Sequence, residues 1–326
     1  MANTRQFLDF EKPVVELEEE ILKVRALVES GDIGRAKEAK KLETKLEKAR
    51  KDVYGRLTPY QRVQLARISE RIQTEDIINK LITDFVELHG DRAFGDDAAI
   101  IGGVGKFEGN SVVVIGHQRG RTTQEKIKRN FGMPQPEGYR KAQRLFKMAE
   151  KFNLPLLMFI DTQGAYPGLE AEERGQAEAI ARCLLMLSNL RTRIISTVIG
   201  EGGSGGALAL GICDRMLMLE NSVYSVISPE GCASIIWGKD DPSKTAEYAK
   251  VAAQALKITA PEITQMGLVD EIIKEPAGAA HRDRDKACEL LGQALLKQLK
   301  QLNKLTMDEI LAKRYEKFRK IGQGAD

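Results

Sequence analysis

The chain has 326 residues, 42% hydrophobic and 30% charged, with a formal net charge of +3. This is the make-up of an ordinary soluble protein of one large or two small domains, and so small a positive charge gives no reason to expect a nucleic acid partner. No apolar run approaches the ~20 residues of a membrane span and no signal peptide opens the chain, so a cytosolic location is expected. Cys183, Cys213, Cys232 and Cys288 are scattered without any C-x-x-C spacing, which argues against a zinc ribbon or a disulfide framework, and no metal is expected on this chain.

Residues 13–53 read as a helical hairpin. Val14, Leu17, Ile21, Val24 and Val28 recur three and four apart, Gly31 and Gly34 interrupt, and Leu42, Leu46, Ala49 and Val53 resume the seam. A third helix is expected from Pro59 to Ile72 and a fourth from Thr74 through Ile77, Ile78, Leu81, Ile82 and Phe85 to Leu88. This arm carries no chemical constellation and is assigned to assembly. From His89 onward glycines and short β-branched runs dominate. Ile100–Phe107 and Ser111–Ile115 flank the turn Glu108-Gly109-Asn110, a hairpin. A basic loop follows with Arg119, Arg121, Lys126 and Arg129, either a solvated face or a clamp for phosphate or an acidic partner.

Pro136 opens a helix through Leu145, Phe146 and Phe152. Leu156–Ile160 is a fully apolar strand of the parallel-sheet type, ending in Asp161-Thr162-Gln163-Gly164-Ala165-Tyr166-Pro167-Gly168. A helix over 172–190 leads to a second strand, Arg193–Ile199. That strand runs into Gly200-Glu201-Gly202-Gly203-Ser204-Gly205-Gly206, with a buried helix expected over 207–212. Two successive strands therefore end in loops of small residues, which a parallel sheet places at one edge, where ligands bind. Beyond lie strands at 215–220 and 222–227, an alanine-rich helix over 243–257, a short helix opening at Thr259-Ala260-Pro261, a last strand at 268–273 and amphipathic helix from Asp285, expected to pack on the N-terminal arm.

The glycine-dense stretch fits three chemistries. Gly200-x-Gly202-x-x-Gly205 matches a dinucleotide fingerprint, with Glu220 at about the ~20-residue spacing of a ribose partner. Gly202-x-Ser204-x-Gly206 matches a nucleophile elbow, for which His89, His117 and His281 are the only histidines available. The third is an oxyanion hole of backbone amides with no nucleophilic side chain. A plain tight turn is the bland alternative, and a phosphate loop is excluded because no Lys-Ser/Thr follows the last glycine.

The runs Ile115 to Gly120, Lys126 to Lys141, Phe159 to Gly168, Gly200 to Ala207 and Tyr224 to Trp237 closely resemble the family of alpha subunits of bacterial and plastid acetyl-CoA carboxylase carboxyltransferase, from Phe7-Leu-Asp-Phe-Glu11 over nearly the whole chain. The resemblance implies an α/β, crotonase/ClpP-like spiral of ββα units, with a helical arm at 1–90, the carboxyltransferase domain at 91–295 and a helical tail at 296–326. It implies transfer of a carboxyl group from carboxybiotin, on the biotin carboxyl carrier protein, to acetyl-CoA, forming malonyl-CoA for fatty-acid synthesis. It further implies an α2β2 assembly with a beta subunit that bears the zinc, biotin carboxylase in the larger complex, and a bacterial cytoplasm or plastid stroma. The positions matching the family's oxyanion donors are Gly205, Gly206 or Ala207, and Gly164 and Ala165. Two departures stand out: Gln163 where many members have proline, and Ala66-Arg67-Ile68-Ser69-Glu70-Arg71-Ile72-Gln73 in place of a proline-stiffened basic run.

Overall fold

The computed structural model describes residues 7–238 and 244–322. Ser243, the expected start of one helix, and the outermost residues of the expected arm and tail lie outside the described residues. The hairpin is present as α1 (Lys12–Glu29) and α2 (Ala36–Tyr54), which bury Ile21, Val24, Ala39 and Leu42 in a small core of their own. The third helix, α3 (Pro59–Arg67), starts at a Thr58–Gln61 capping box and stops short of Ile72. The chain then turns extended at Ile68, and Arg71 enters the interior.

The fourth helix also stops early: α4 is Thr74–Leu81, and Ile82–Glu87 is a strand, β1. The apolar spacing through Phe85 satisfies a helix, but β2 (Ile100–Phe107) offers an open edge, and β1 pairs with it antiparallel from Ile82↔Phe107 to Glu87↔Gly103. The Ile82 and Phe85 side chains sit where Cβ atoms on Gly105 and Gly103 would be. Pairing and packing on a sheet override local periodicity here. β3 (Asn110–His117) completes the expected hairpin with β2, turning through Glu108 and Gly109, both at positive φ.

The basic loop contains a short helix, α5 (Thr123–Lys128), and α6 (Pro136–Lys151) follows. β4 (Leu156–Thr162) is buried on both faces. The expected helix over 172–190 is two pieces, α7 (Leu169–Glu173) and α8 (Gln176–Asn189), divided at Gly175 with φ +84°. β5 is Ile194–Gly203, so the strand continues through three glycines assigned to a turn, and α9 (Ser204–Leu208) starts at once, three residues earlier than expected. β6 (Arg215–Leu219), β7 (Val223–Ser225), α10 (Pro229–Trp237), α11 (Thr245–Ala255), α12 (Ala260–Gln265) and β8 (Glu271–Ile273) follow. The chain ends in α13 (Arg284–Leu302) and α14 (Met307–Lys320).

The eight strands among the described residues form one sheet, β1-β2-β3-β4-β5-β6-β8, antiparallel through β3 and parallel beyond. β5 is shared: its first half pairs with β4 and β6, and Glu201–Gly203 pair with β7. Leu156, Met158 and Ile160 face one apolar layer with α6 and α8, while Leu157 and Phe159 face another with α4 and α13. This is why β4 reads as an unbroken apolar run. α13 packs on α4, the last helix of the expected arm, and on the sheet, as expected, whereas α14 packs on α8. Arg314 of α14 explains that docking. Fully buried, it binds Asp214 and the carbonyls of Leu187, Leu190 and Thr192. No helix among the described residues is long and apolar enough to cross a membrane.

Candidate functional site

The C-terminal ends of β4 and β5 lie side by side, paired from Leu156↔Ile194 to Thr162↔Gly202, so the two small-residue loops meet. A Cβ on Gly203 would lie 2.2 Å from the Gln163 carbonyl oxygen, and one on Gly206 would lie 2.6 Å from the Gly164 carbonyl carbon and 2.8 Å from the Ala165 nitrogen. Glycine is required at both positions by close backbone approach. Positive φ falls instead on Ser204, at +51°. Ser204, Gly205 and Gly206 are the first turn of α9, where amides have no acceptor within the helix. Facing them, the Ala165 N–H has no acceptor among the described residues, whereas the Gly164 N–H is taken by Thr162 Oγ1 at 3.0 Å. Of the five assigned positions, two are thus committed internally: Gly164 to Thr162, and Ala207, the fourth residue of α9, whose N–H reaches back within the helix.

Asp161 ties the two strand ends together. Its Oδ1 accepts from the Glu201 N–H at 3.0 Å and meets Arg119 Nη1 at 3.4 Å. Burial pushes its carboxyl above the usual range, and Arg119 opposes the shift. Beside it opens a cavity of about 190 Å³, with Arg67, Ser69, Gln73, Arg119, Lys126, Phe131 and Gln163 among its lining residues. Arg67 is held by Glu201 and Glu230 at 2.7 and 2.9 Å. Gln73 fastens the basic loop, accepting from the Gly120 N–H at 3.0 Å and from Gln118 Nε2 at 2.8 Å.

The structure divides the four expected cations. Arg119 and Lys126 line the cavity, and Lys126 Nζ donates to the neutral Ser69 hydroxyl at 2.6 Å. Arg121 instead turns to Asp76 and the Arg71 carbonyl, and Arg129 to the Ala98 carbonyl and Glu75. Sequence reading missed Asp161, Glu201 and Gln73, whose role comes from long-range approach. It did single out the divergent 66–73 stretch, which supplies Arg67, Ser69 and Gln73.

No histidine hydrogen-bonds Ser204. His89 pairs with Asp96, His281 with Glu11, and buried His117 receives the Asp161 N–H. Without a base, the elbow reading lacks its proton acceptor. The dinucleotide reading fails on geometry, because Gly200 and Gly202 are strand residues and α9 is only 5 residues long. Glu220 is engaged by Lys274 at 2.6 Å. No group of three or more potential metal ligands occurs among the described residues.

A family model described as "Acetyl co-enzyme A carboxylase carboxyltransferase-like" matches residues 7–322. An acetyl-coenzyme A carboxylase carboxyl transferase subunit alpha from Halalkalibacterium halodurans is 54% identical over 97% of this chain and 95% of its own length. A protein of the same name from Bacillus cereus (strain G9842) is 55% identical over 97% of this chain and 96% of its own. Among solved structures, transcarboxylase 12S with methylmalonyl-coenzyme A and methylmalonic acid bound is similar at a TM-score of 0.54 and 24% identity, over 68% of this chain and 41% of that one. The beta subunit of Pseudomonas aeruginosa geranyl-CoA carboxylase is similar at 0.52 and 20%, over 75% and 42%. The chain thus spans about two fifths of each of these structures, and the likeness bears out the crotonase-like α/β fold expected from the sequence. Taken with the site, the family match leads to one conclusion: the chain belongs to the family of acetyl-CoA carboxylase carboxyltransferase alpha subunits.

Proposed function

We propose that this chain supplies one half of a carboxyltransferase site. A carboxyl group passes from carboxybiotin, on the biotin carboxyl carrier protein, to acetyl-CoA, forming malonyl-CoA in the first committed step of fatty-acid biosynthesis. The observation that carries the reading is the meeting of the α9 first turn with the Ala165 loop, at 2.6–2.9 Å from a Cβ on Gly206. Of the candidates Gly205, Gly206 and Ala207, the first two have amides left open by the helix, and these face the Ala165 amide where no histidine hydrogen-bonds Ser204. Aimed donors stabilise an oxygen as it gains negative charge. Such an oxygen forms when a proton leaves the carbon beside a thioester carbonyl, and also on a cyclic urea as it loses its carboxyl group. The reactants supply the base, and the chain supplies the donors. Gly164 acts by shaping its loop. Arg119 and Lys126 receive a negatively charged part of a substrate, while Arg121 and Arg129 brace the loop that carries them.

The rest of the site comes from a beta subunit, in an α2β2 assembly with zinc on the beta chain only. The carrier protein and biotin carboxylase complete the complex, in the cytoplasm. Residues 1–90 act in assembly around a carboxyltransferase domain at 91–295 with a tail at 296–326. Exposed Leu22 and Leu27 on α1, and Ile235 and Ile236 on α10, support such contacts. The test is malonyl-CoA-dependent carboxylation of free biotin, run with this chain alone, with a beta subunit, and with both. Activity in the mixture alone is expected. Turnover by this chain alone, or none in the mixture, overturns the proposal.

A further inference from the structure

His117 lies at the end of β3, directly behind the junction, and has no part in the reading above. Its side chain is fully buried, and its backbone is clamped by Thr74 Oγ1, which donates to the His117 carbonyl at 2.6 Å. The ring touches both halves of the site. The Asp161 N–H donates to Nδ1 at 3.4 Å, and burial lowers the ring to about 3, against an opposite pull from the backbones of Phe159 and Gly206. The imidazole is therefore neutral. Because Nδ1 receives a proton donor, the ring's own proton sits on Nε2. That Nε2 is buried without a hydrogen-bond partner among the described residues.

The Gly206 backbone faces this ring, and its carbonyl is unmet among the described residues. In the turn closing α9, Ala209 N donates to the Gly205 and Ala207 carbonyls and Leu210 N to Ala207, so both main-chain donors that would reach the Gly206 oxygen pass it by. A buried donor without an acceptor is costly, and catalytic hydrogen bonds are often loose in a free protein and tighten in the reacting complex. We propose that His117 is a positioning residue of this site: Nε2–H donates to the Gly206 carbonyl and fixes the Gly206–Ala207 peptide, and through it the first turn of α9, whose Gly205 and Gly206 amides are the assigned oxyanion donors. The same ring holds Asp161, so one side chain sets the spacing of the two loops.

This inference rests on the proposed carboxyl transfer. It is tested in the reconstituted complex with His117→Gln, His117→Asn and His117→Phe, measuring kcat and KM for malonyl-CoA and free biotin. Glutamine reaches the Nε2 position and keeps the donor. Asparagine keeps only an acceptor near Nδ1, and phenylalanine keeps neither. His117→Gln should stay within about threefold of the unaltered complex in kcat, with His117→Asn lower by about ten- to a hundredfold and KM values within twofold. If His117→Phe does not assemble, the comparison of Gln with Asn decides alone. Equal activity of those two, or a loss confined to KM, overturns the inference while leaving the proposed function standing. An inactive unaltered complex overturns both.

Discussion

A methyl group on Gly206 should damage turnover far more than one on Gly205, although the two are neighbours in one helical turn. At Gly206 the added carbon would stand 2.6 Å from the Gly164 carbonyl carbon, 2.8 Å from the Ala165 nitrogen and 2.9 Å from the Gly164 oxygen. Carbon atoms rest at ~3.5 Å, so the overlap is roughly 0.9 Å. All three atoms are backbone and no rotamer can relieve it. The loops must part by on the order of 0.5–1 Å, which carries the Ala165 donor out of place. Overpacking of this kind costs about 1–3 kcal/mol of stability, which a domain of ordinary stability survives. Loss of one aimed donor costs about 10²–10³ in kcat, or roughly 3–4 kcal/mol. At Gly205 the nearest atom is Ile180 Cδ1 at 3.4 Å, the free end of a side chain. Gly205→Ala should therefore stay within about threefold, near 0.7 kcal/mol, and should gain slightly in helix propensity. The assay is kcat in the reconstituted complex, with assembly followed by size-exclusion chromatography. A Gly206→Ala complex that assembles and retains activity within threefold, or a Gly205→Ala complex equally impaired, would refute the oxyanion assignment.

Lys126→Ala should raise a substrate KM about three- to tenfold at low salt, with the gap closing as ionic strength rises, since a partly exposed charge acts over a Debye length. Arg121→Ala should instead loosen the loop without that salt dependence, because Arg121 is bound to Asp76. Salt titration of both variants separates the two roles. At the buried Arg71–Glu275 pair, burial would raise the Glu275 carboxyl, but the Arg71 guanidinium outweighs it and holds the group at about 2, below its ordinary 4.5. Its contribution to stability is thus complete above pH 4.5 and lost as pH falls towards 2. Arg71→Leu removes the largest pull against burial and leaves the Asn221 and Ala280 hydrogen bonds to oppose it alone, so the folded value rises from about 2. Stability at neutral pH should then drop by about 3–5 kcal/mol, and the loss of stability as pH falls from 4.5 towards 2 should be smaller than in the parent. Urea unfolding from pH 2 to 7 checks the sign, and parallel slopes in variant and parent would count against it.

Local chemistry alone determined much of this protein. The three- and four-residue spacing of α1 and α2, the helix start at Pro59, the turn at Glu108-Gly109 and the two-sided apolar run of β4 each carry their structure in a few neighbouring residues, so each was legible in the sequence. The convergence of the two small-residue loops was legible too, because parallel strands place such loops at one edge. Tertiary structure decided what depends on distant partners. Ile82–Glu87 is a strand because β2 presents an edge, although its spacing suits a helix. Gly203 and Gly206 look like turn residues in the sequence, yet they are glycine because the Gln163–Ala165 backbone lies against them. The basic loop reads as one cluster, but Asp76 and Glu75 draw Arg121 and Arg129 away and leave Arg119 and Lys126 at the cavity. His117 reads as a stray histidine until the fold brings Asp161 and Gly206 to its ring. Hydrophobic periodicity is a property of adjacent residues, whereas close approach and charge pairing belong to residues 40 or more positions apart, such as Asp161 and Glu201, and only the folded chain brings those together.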